Sequence, residues 1–202
     1  MKRKHLTREE VELILNIISK DMISIRDYCM VSMAFIHGLR VSELISLKLD
    51  DYIPSSQQIY INRLKKGFST IHPILAEENK ILQCWIEERK NLLGNDLPWL
   101  FLSKQGKPLT RQRFYQIIRY YGELANLSFP VYPHMLRHAC GYNLAEHGND
   151  TRLIQDYLGH RNIAHTVLYT AANAARFINV FEKRKEYSIG NILSEDKIII
   201  ST

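Results

Sequence analysis

Three cysteines, Cys29, Cys84 and Cys140, are all the sulfur chemistry that 202 residues offer. Their number is odd, and their spacing fits neither a disulfide framework nor a zinc site. Each lies in an apolar pattern and is expected to be a buried, reduced thiol. No apolar run approaches the roughly 20 residues that a membrane helix needs, so no helical span and no membrane partner are expected. The start Met-Lys-Arg-Lys-His turns directly to Arg8, Glu9 and Glu10, without the apolar segment of a secretory signal. A cytoplasmic protein is expected. Internal repeats and low-complexity tracts are missing too. Acidic residues are outnumbered 21 to 27 by lysine and arginine. That surplus suits a polyanionic partner but is too small to identify one.

What remains is ordinary globular composition, with 46% apolar and 24% charged residues, and enough length for one well-buried domain. Thr7 and Glu10 form a capping box ahead of Val11, Leu13, Ile14, Ile17 and Ile18, which predicts a helix over 7–20. Further helices are expected at 24–37, from Val41 through Leu47, at 76–91 and at 110–125. Four more are expected at 133–147, 151–158, 166–170 and 173–186. Asp50 to Pro54 reads as a turn. Alternation over 58–64 and again over 70–74 predicts two short antiparallel strands with Lys65-Lys66-Gly67 at their bend. Ile198 to Ile200 is read as a third short strand or an irregular tail. The fold class is mainly α with a small antiparallel β-sheet.

The chemistry-bearing residues sit in short, distinctive settings: Gly-Leu-Arg-Val-Ser-Glu-Leu at 38–44, His-Met-Leu-Arg-His at 134–138, Leu-Gly-His at 158–160, and Tyr169. Pro133 suits the first position of a helix, which puts His134, Arg137 and His138 on one face, near a helix N-terminus that favours a phosphate. Gly159 is expected to end the next helix and leave His160 on a loop, and Thr166 to cap a short helix bearing Tyr169. Cationic donors gathered around one hydroxyl are what attack on a phosphodiester requires when no metal takes part. His134 and His138 are spaced for zinc, but no Glu follows His134 as a metalloprotease pattern requires, so no metal site is expected. Singly, each of these residues has a bland alternative: a surface ion pair for Arg40, a solvated turn for Lys65 and Lys66, a packed aromatic for Tyr169. These four settings and the basic turn at 65–67, five in one order, are not explained that way.

In that order, the settings resemble the catalytic domain of tyrosine recombinases, the phage-integrase family. The resemblance runs from about residue 5 to 186. Tyr-Thr-Ala-Ala-Asn-Ala-Ala-Arg-Phe at 169–177 resembles, more narrowly, the small recombinases that invert fimbrial promoter switches. The resemblance implies a recombinase catalytic-domain fold over 1–186 followed by a tail over 187–202; most of the family also carry an N-terminal DNA-clamping domain, and here none is expected, because the first helix already begins the catalytic domain. It implies that Tyr169 attacks the scissile phosphate to give a 3′-phosphotyrosine and a free 5′-hydroxyl, with no metal, nucleotide or other cofactor. Arg40 and Arg137 would hold the non-bridging oxygens, a task suited to the planar guanidinium fork. His134 would assist proton transfer and His160 would donate to the phosphate, while Glu43 and His138 would orient the others.

Lys65 would protonate the leaving oxygen. The choice between Lys65 and Lys66 rests on the eight-residue interval from Lys65 to Pro73 and stays open, with Lys66 otherwise a DNA contact. Arg111, Arg119 and Arg161 are candidate DNA contacts whose alternative is a solvated surface. Partners implied are double-stranded DNA bearing inverted repeats, further copies of the chain in a tetramer on that DNA, and DNA-bending accessory proteins, all at the bacterial nucleoid. Phe177, Ile178, Val180 and Phe181 would dock the last helix on a neighbour or pack in cis. Other outcomes of the same chemistry are integration or excision of a mobile element and type IB topoisomerase activity. A catalytically idle DNA-binding regulator is the alternative from another class.

Overall fold

A computed structural model describes residues 3–20, 24–64 and 68–171. Lys65, Lys66, the helix expected at 173–186, the docking residues within it and the strand expected at 198–200 therefore lie outside the described residues.

The capping box forms as the sequence requires. The Thr7 backbone N–H donates to Glu10 Oε2 at 2.9 Å and the Glu10 N–H to Thr7 Oγ1 at 3.3 Å, which satisfies two amides at the start of α1 (Arg8–Lys20). Val11, Ile14 and Ile18 follow on its buried face. Ser24 caps α2 (Ile25–Ile36), accepting from the Asp27 N–H at 3.3 Å. This helix is the spine of the domain: Cys29, Met30, Val31, Met33 and Ala34 are buried, and α1, α4 and α6 pack around it. Gly38 reverses the chain with φ +57°, and α3 (Val41–Ile45) is shorter than its apolar pattern suggests.

The region expected as a turn at 50–54 is more ordered than that. A 3₁₀ turn (Leu49–Asp51) leads into β1 (Tyr52–Ile53), which pairs antiparallel with β2 (Gln58–Ile61); β2 pairs with β3 (Thr70–Pro73). The sheet order is β1-β2-β3, with Ile59 facing Tyr52 on one side and His72 on the other. Two residues are too few for a visible alternation, so only the pairing reveals β1.

Of the remaining helices, α4 (Ala76–Arg89) and α5 (Arg111–Leu124) flank the core, with Thr110 capping α5 through its 3.1 Å bond from the Arg113 N–H. Trp85 is buried and donates Nε1–H to the Leu100 carbonyl at 2.9 Å. Arg89, at the end of a helix rich in charge, is buried as well. It clamps the following loop by donating to the carbonyls of Trp99, Asn95 and Leu97. Cys84 corrects the expectation of three buried thiols, because it is exposed. It precedes Trp85 by one residue, about 100° around the helix from the core face.

The last three described helices are α6 (Pro133–Glu146), α7 (Thr151–Leu158) and α8 (Ala164–Thr170). Asp150 caps α7 by accepting from the Arg152 and Leu153 amides. Gly159 ends it in the left-handed region at φ 64°, a conformation that costs a side-chain-bearing residue about 1 kcal/mol or more. Thr166 does not cap α8. The helix begins two residues earlier, where Asn162 Oδ1 accepts from the Ala164 N–H at 2.9 Å, and Thr166 is buried inside it.

A chain of buried polar contacts ties α4, the end of α2 and β3 together. Glu78 Oε1 meets His37 Nε2 at 2.8 Å, His37 Nδ1 meets His72 Nδ1 at 3.2 Å, and His72 Nε2 meets Thr70 Oγ1 at 2.9 Å. Each contact can be satisfied by one donor, and the ring tautomers decide which atom gives the proton. Burial, and then the nearby His37 and Arg63, push His72 down to about 3. The unfolded chain therefore binds a proton here between pH 6.5 and 3 that the folded chain does not. Stability should decline as pH falls through that window, by about 1 kcal/mol per pH unit for each such histidine. Urea unfolding midpoints should stay nearly level from pH 7.5 to about 6.5 and then fall toward pH 5, above the range where carboxylates titrate. A flat profile would show that His72 is not held neutral.

Candidate active site

The site is assembled on one buried carboxylate. Glu43, in the first turn of α3, turns back to the helix start, where its Oε2 accepts the Arg40 backbone N–H at 2.9 Å and its Oε1 the Arg40 Nη1 at 2.6 Å. Arg63, just beyond β2, donates Nη1–H to Oε2 at 3.0 Å, and Arg137 Nη1 lies 3.8 Å from the same oxygen. Burial alone would raise the Glu43 carboxyl. The Arg40 amide, Arg63 and Arg137 outweigh it and hold the carboxyl below its usual range. Three cations thus share one anion. Arg40 alone of the three reaches solvent, its side chain being 25% exposed against 0% and 2% for Arg63 and Arg137.

Arg137 rises from the first turn of α6 behind Pro133, which occupies a helix-start position as the sequence suggests. Its guanidinium bonds the carbonyl of Gly38 and, at 2.8 Å, that of Leu158. Burial, together with Arg40 and Arg63, pushes it down to about 9. A cation held at that cost is stabilised by any anion that arrives beside it.

Tyr169 is buried in cis against α6. Its hydroxyl lies 2.9 Å from His138 Nδ1, and its ring stacks on His160 at 6.4 Å and meets Tyr142 edge-on at 5.1 Å. Burial pushes the phenol up to about 12, partly offset by Arg137. His138, which the sequence offers as an orienting group, is thus the imidazole on the phenol. Burial, and then His134 and Arg137, push it down to about 4, so it is neutral at physiological pH. His134 is exposed on the same face and meets the His138 ring edge-on at 4.6 Å.

His160 sits on the loop after Gly159, held by a mutual pair of bonds. Its N–H donates to the Gln155 carbonyl at 2.9 Å, and Gln155 Nε2–H donates to its own carbonyl at 2.9 Å. Its Nδ1 meets Thr166 Oγ1 at 2.8 Å. Burial, Arg137 and Arg40 push the ring down to about 3. A neutral ring accepting from the threonine hydroxyl at Nδ1 carries its proton on Nε2.

Arg40, Glu43, Arg137, His138, His160 and Tyr169 are therefore brought together, with His134 at the rim. Arg111, Arg119 and Arg161 are exposed, and Arg119 pairs with Glu123 at 2.9 Å. Among the described residues no group of three or more His, Cys, Asp or Glu is arranged to hold a metal ion, and no helix is long and apolar enough to cross a membrane.

Two contributors escaped the sequence. Arg63 reads as an ordinary strand residue; only its burial shows otherwise. Gly141 lies under the tyrosine, where a Cβ would come within 2.7 Å of Tyr169 Cε2 and Cζ. Glycine inside a predicted helix was the available signal, since it weakens a helix unless packing requires it.

A helical domain that sets one phenol among imidazoles and guanidinium groups defines a tyrosine-nucleophile strand-transfer enzyme. The chain belongs to the phage integrase family, whose sequence profile matches residues 4–176. It is 48% identical over 184 residues to the type 1 fimbriae regulatory protein FimB of Escherichia coli K12, a match covering 91% of this chain and 92% of FimB. It is 33% identical over 189 residues to the tyrosine recombinase XerD of Listeria innocua, which covers 89% of this chain and 62% of XerD. The crystal structure of XerA recombinase superposes with a TM-score of 0.77 at 26% identity, covering 93% of this chain and 67% of XerA.

Gly141→Ala tests the packing beneath the nucleophile. The added methyl must displace the Tyr169 ring. Circular dichroism should show an unchanged helical fold, while covalent attachment to cleaved DNA falls by about tenfold or more. Attachment at the normal rate would show that the ring does not rest on Gly141 when it reacts.

Proposed function

We propose that this protein is a site-specific recombinase that cleaves and rejoins double-stranded DNA through a 3′-phosphotyrosine at Tyr169, and that it inverts a promoter element governing fimbrial expression. The single observation that carries the chemistry is the 2.9 Å contact between the Tyr169 hydroxyl and a neutral imidazole, next to guanidinium groups organised by Glu43. The biological assignment rests on near full-length similarity to a protein named as a regulator of type 1 fimbriae.

In this reading Arg40 and Arg137 grip the two non-bridging oxygens and stabilise the charge that builds in the transition state. Arg40 reaches outward from its Glu43 anchor, and Arg137 relinquishes part of its buried isolation. His160 donates Nε2–H to the phosphate. The phenol gives its proton to His138 Nδ1, with His134 at the mouth of the site as phosphate ligand or relay. Attack by the phenol oxygen on phosphorus, as its proton passes to His138, forms the Tyr–O–P bond and breaks the P–O5′ bond. The leaving 5′-oxygen takes a proton from Lys65 or Lys66. Because the phosphodiester energy is kept in the covalent link, the reverse attack by a 5′-hydroxyl reseals the strand. DNA contacts are supplied by Arg111, Arg119 and Arg161, chiefly to phosphates, so binding should weaken steeply with salt. Several copies of the chain act together on two inverted sites in the cytoplasm, on nucleoid DNA bent by accessory proteins, with residues 1–186 as the catalytic domain.

Tyr169→Phe should bind DNA normally and form no covalent adduct on a nicked substrate; an adduct with this variant would move the nucleophile elsewhere. Among proton donors, Lys65→Ala should slow cleavage by about a hundredfold, with recovery on a substrate whose leaving atom is a 5′-sulfur, because a thiol leaves without a general acid. Recovery confined to Lys66→Ala would transfer the role to Lys66. On a plasmid with two sites in inverted orientation, the product should be an inverted segment. Supercoil relaxation without inversion would indicate a topoisomerase instead.

A further inference from the structure

Arg63 is buried about as thoroughly as Arg137 and far more so than Arg40, and its contacts are those of a clamp. Its Nη1 donates to Glu43 Oε2 at 3.0 Å. Its Nη2 donates to two carbonyls, that of His37 at 3.2 Å and that of Tyr157 at 2.6 Å. Nε has no partner among the described residues. The stem packs under Gly159, where a Cβ would lie 2.8 Å from Arg63 Cγ.

These carbonyls form a pattern. His37 and Gly38 follow the end of α2, and Tyr157 and Leu158 close α7. The last carbonyls of a helix lack partners inside it and carry its negative dipole end. Arg63 bonds His37 and Tyr157; Arg137 bonds Gly38 and Leu158. The two guanidinium groups bridge the same pair of helix ends, one residue apart on each, and both face Glu43.

An apolar side chain would fill this space at lower cost. Burying a third cation beside Arg40 and Arg137 is unfavourable: desolvation, and in part Arg40, push the Arg63 guanidinium below its ordinary value. The gain has to lie in geometry. Arg63 reaches two segments that lead to proposed phosphate ligands: the 37–43 stretch with Arg40 and the end of α7 just before His160.

We propose that Arg63 is a positioning residue for strand transfer. It fixes the Glu43 carboxylate, and so the Arg40 fork, and it locks the ends of α2 and α7 at the spacing that Arg137 and His160 need. It does not touch DNA. The inference rests on the recombinase reading of the site.

The test compares wild type, Tyr169→Phe, Arg63→Met and Arg63→Lys on a nicked duplex, reading DNA affinity by gel shift and cleavage rate by covalent adduct at saturating protein. Arg63→Met should remain folded, bind DNA within about threefold of wild type and cleave about ten- to a hundredfold more slowly, since misplaced groups lose rate rather than affinity. Arg63→Lys, a point charge that cannot reach three acceptors at once, should be slow as well. In a double-mutant cycle, Arg40→Ala should cost at least fivefold less in the Arg63→Met background than in wild type, because its fork is already misplaced. Additive losses, or wild-type cleavage by either Arg63 variant, would overturn the proposal, and should Arg63→Met not fold, full activity of Arg63→Lys decides against it alone. A persisting adduct in Tyr169→Phe would instead overturn the reading of the site, and the proposal with it.

Discussion

The ion cluster around Glu43 is the constraint on which the rest of the active site depends. One buried carboxylate faces Arg40, Arg63 and Arg137, so the cluster carries more positive than negative charge in a medium that tolerates neither well. Ion pairs of this kind contribute little net stability, but removing one partner leaves buried charge uncompensated and is expensive. Glu43 therefore cannot be lost, and the three arginines cannot all be satisfied by it. The surplus is the useful part. In the proposed reaction a phosphodiester would bring one negative charge to the place where the protein has kept two cations too many, and the substrate rather than the fold would offset the cost of burying Arg137.

Helix ends supply the second half of this arrangement. Gly38 and Gly159 stop α2 and α7, and the carbonyls released there accept from Arg137 and Arg63. Without those carbonyls the guanidinium groups would have too few acceptors to be buried at all. The same breaks deliver Arg40 and His160 onto short loops at the mouth of the site. Chain reversal, cation burial and placement of the phosphate ligands are thus one construction. The Glu78–His37–His72 chain extends it into the sheet, fixing β3 against the end of α2.

Much of this was legible in the residues. Capping chemistry gave α1, α5 and α7 nearly to the residue, and Pro133 and Gly159 marked the start of α6 and the end of α7. These are local signals, read from neighbours in sequence. What stayed hidden depends on contacts across the chain. Strand β1 is two residues long and exists only through pairing with β2. Thr166 looked like a cap because threonine favours caps, yet it serves inside α8 as a partner of His160. Arg63 and Arg89 carry side chains that are ordinarily solvated, and nothing in their immediate surroundings announces that each gathers several backbone acceptors. His138 was placed on the correct helix face, but the choice between two imidazoles at i and i+4 is decided by where α8 lays the phenol, about 30 residues away.

For the proposed reaction, the resting state of Tyr169 bears on how the site would stay unreactive until DNA arrives. With the phenol pushed up to about 12, only a minute fraction of molecules carries a phenolate near neutral pH. An incoming phosphate adds negative charge nearby and makes spontaneous ionisation harder still. Nucleophilic attack cannot then rely on a pre-formed phenolate; the proton has to leave as the new bond forms. That requirement explains why the phenol rests on an imidazole kept neutral by burial and by the neighbouring cations, since only a neutral ring accepts a proton. The same cations that lower the basicity of His138 stabilise the phosphorane-like charge that its proton transfer makes possible. A weak base is sufficient when the guanidinium groups carry most of the transition state, and it limits reaction of the tyrosine when no phosphate is present.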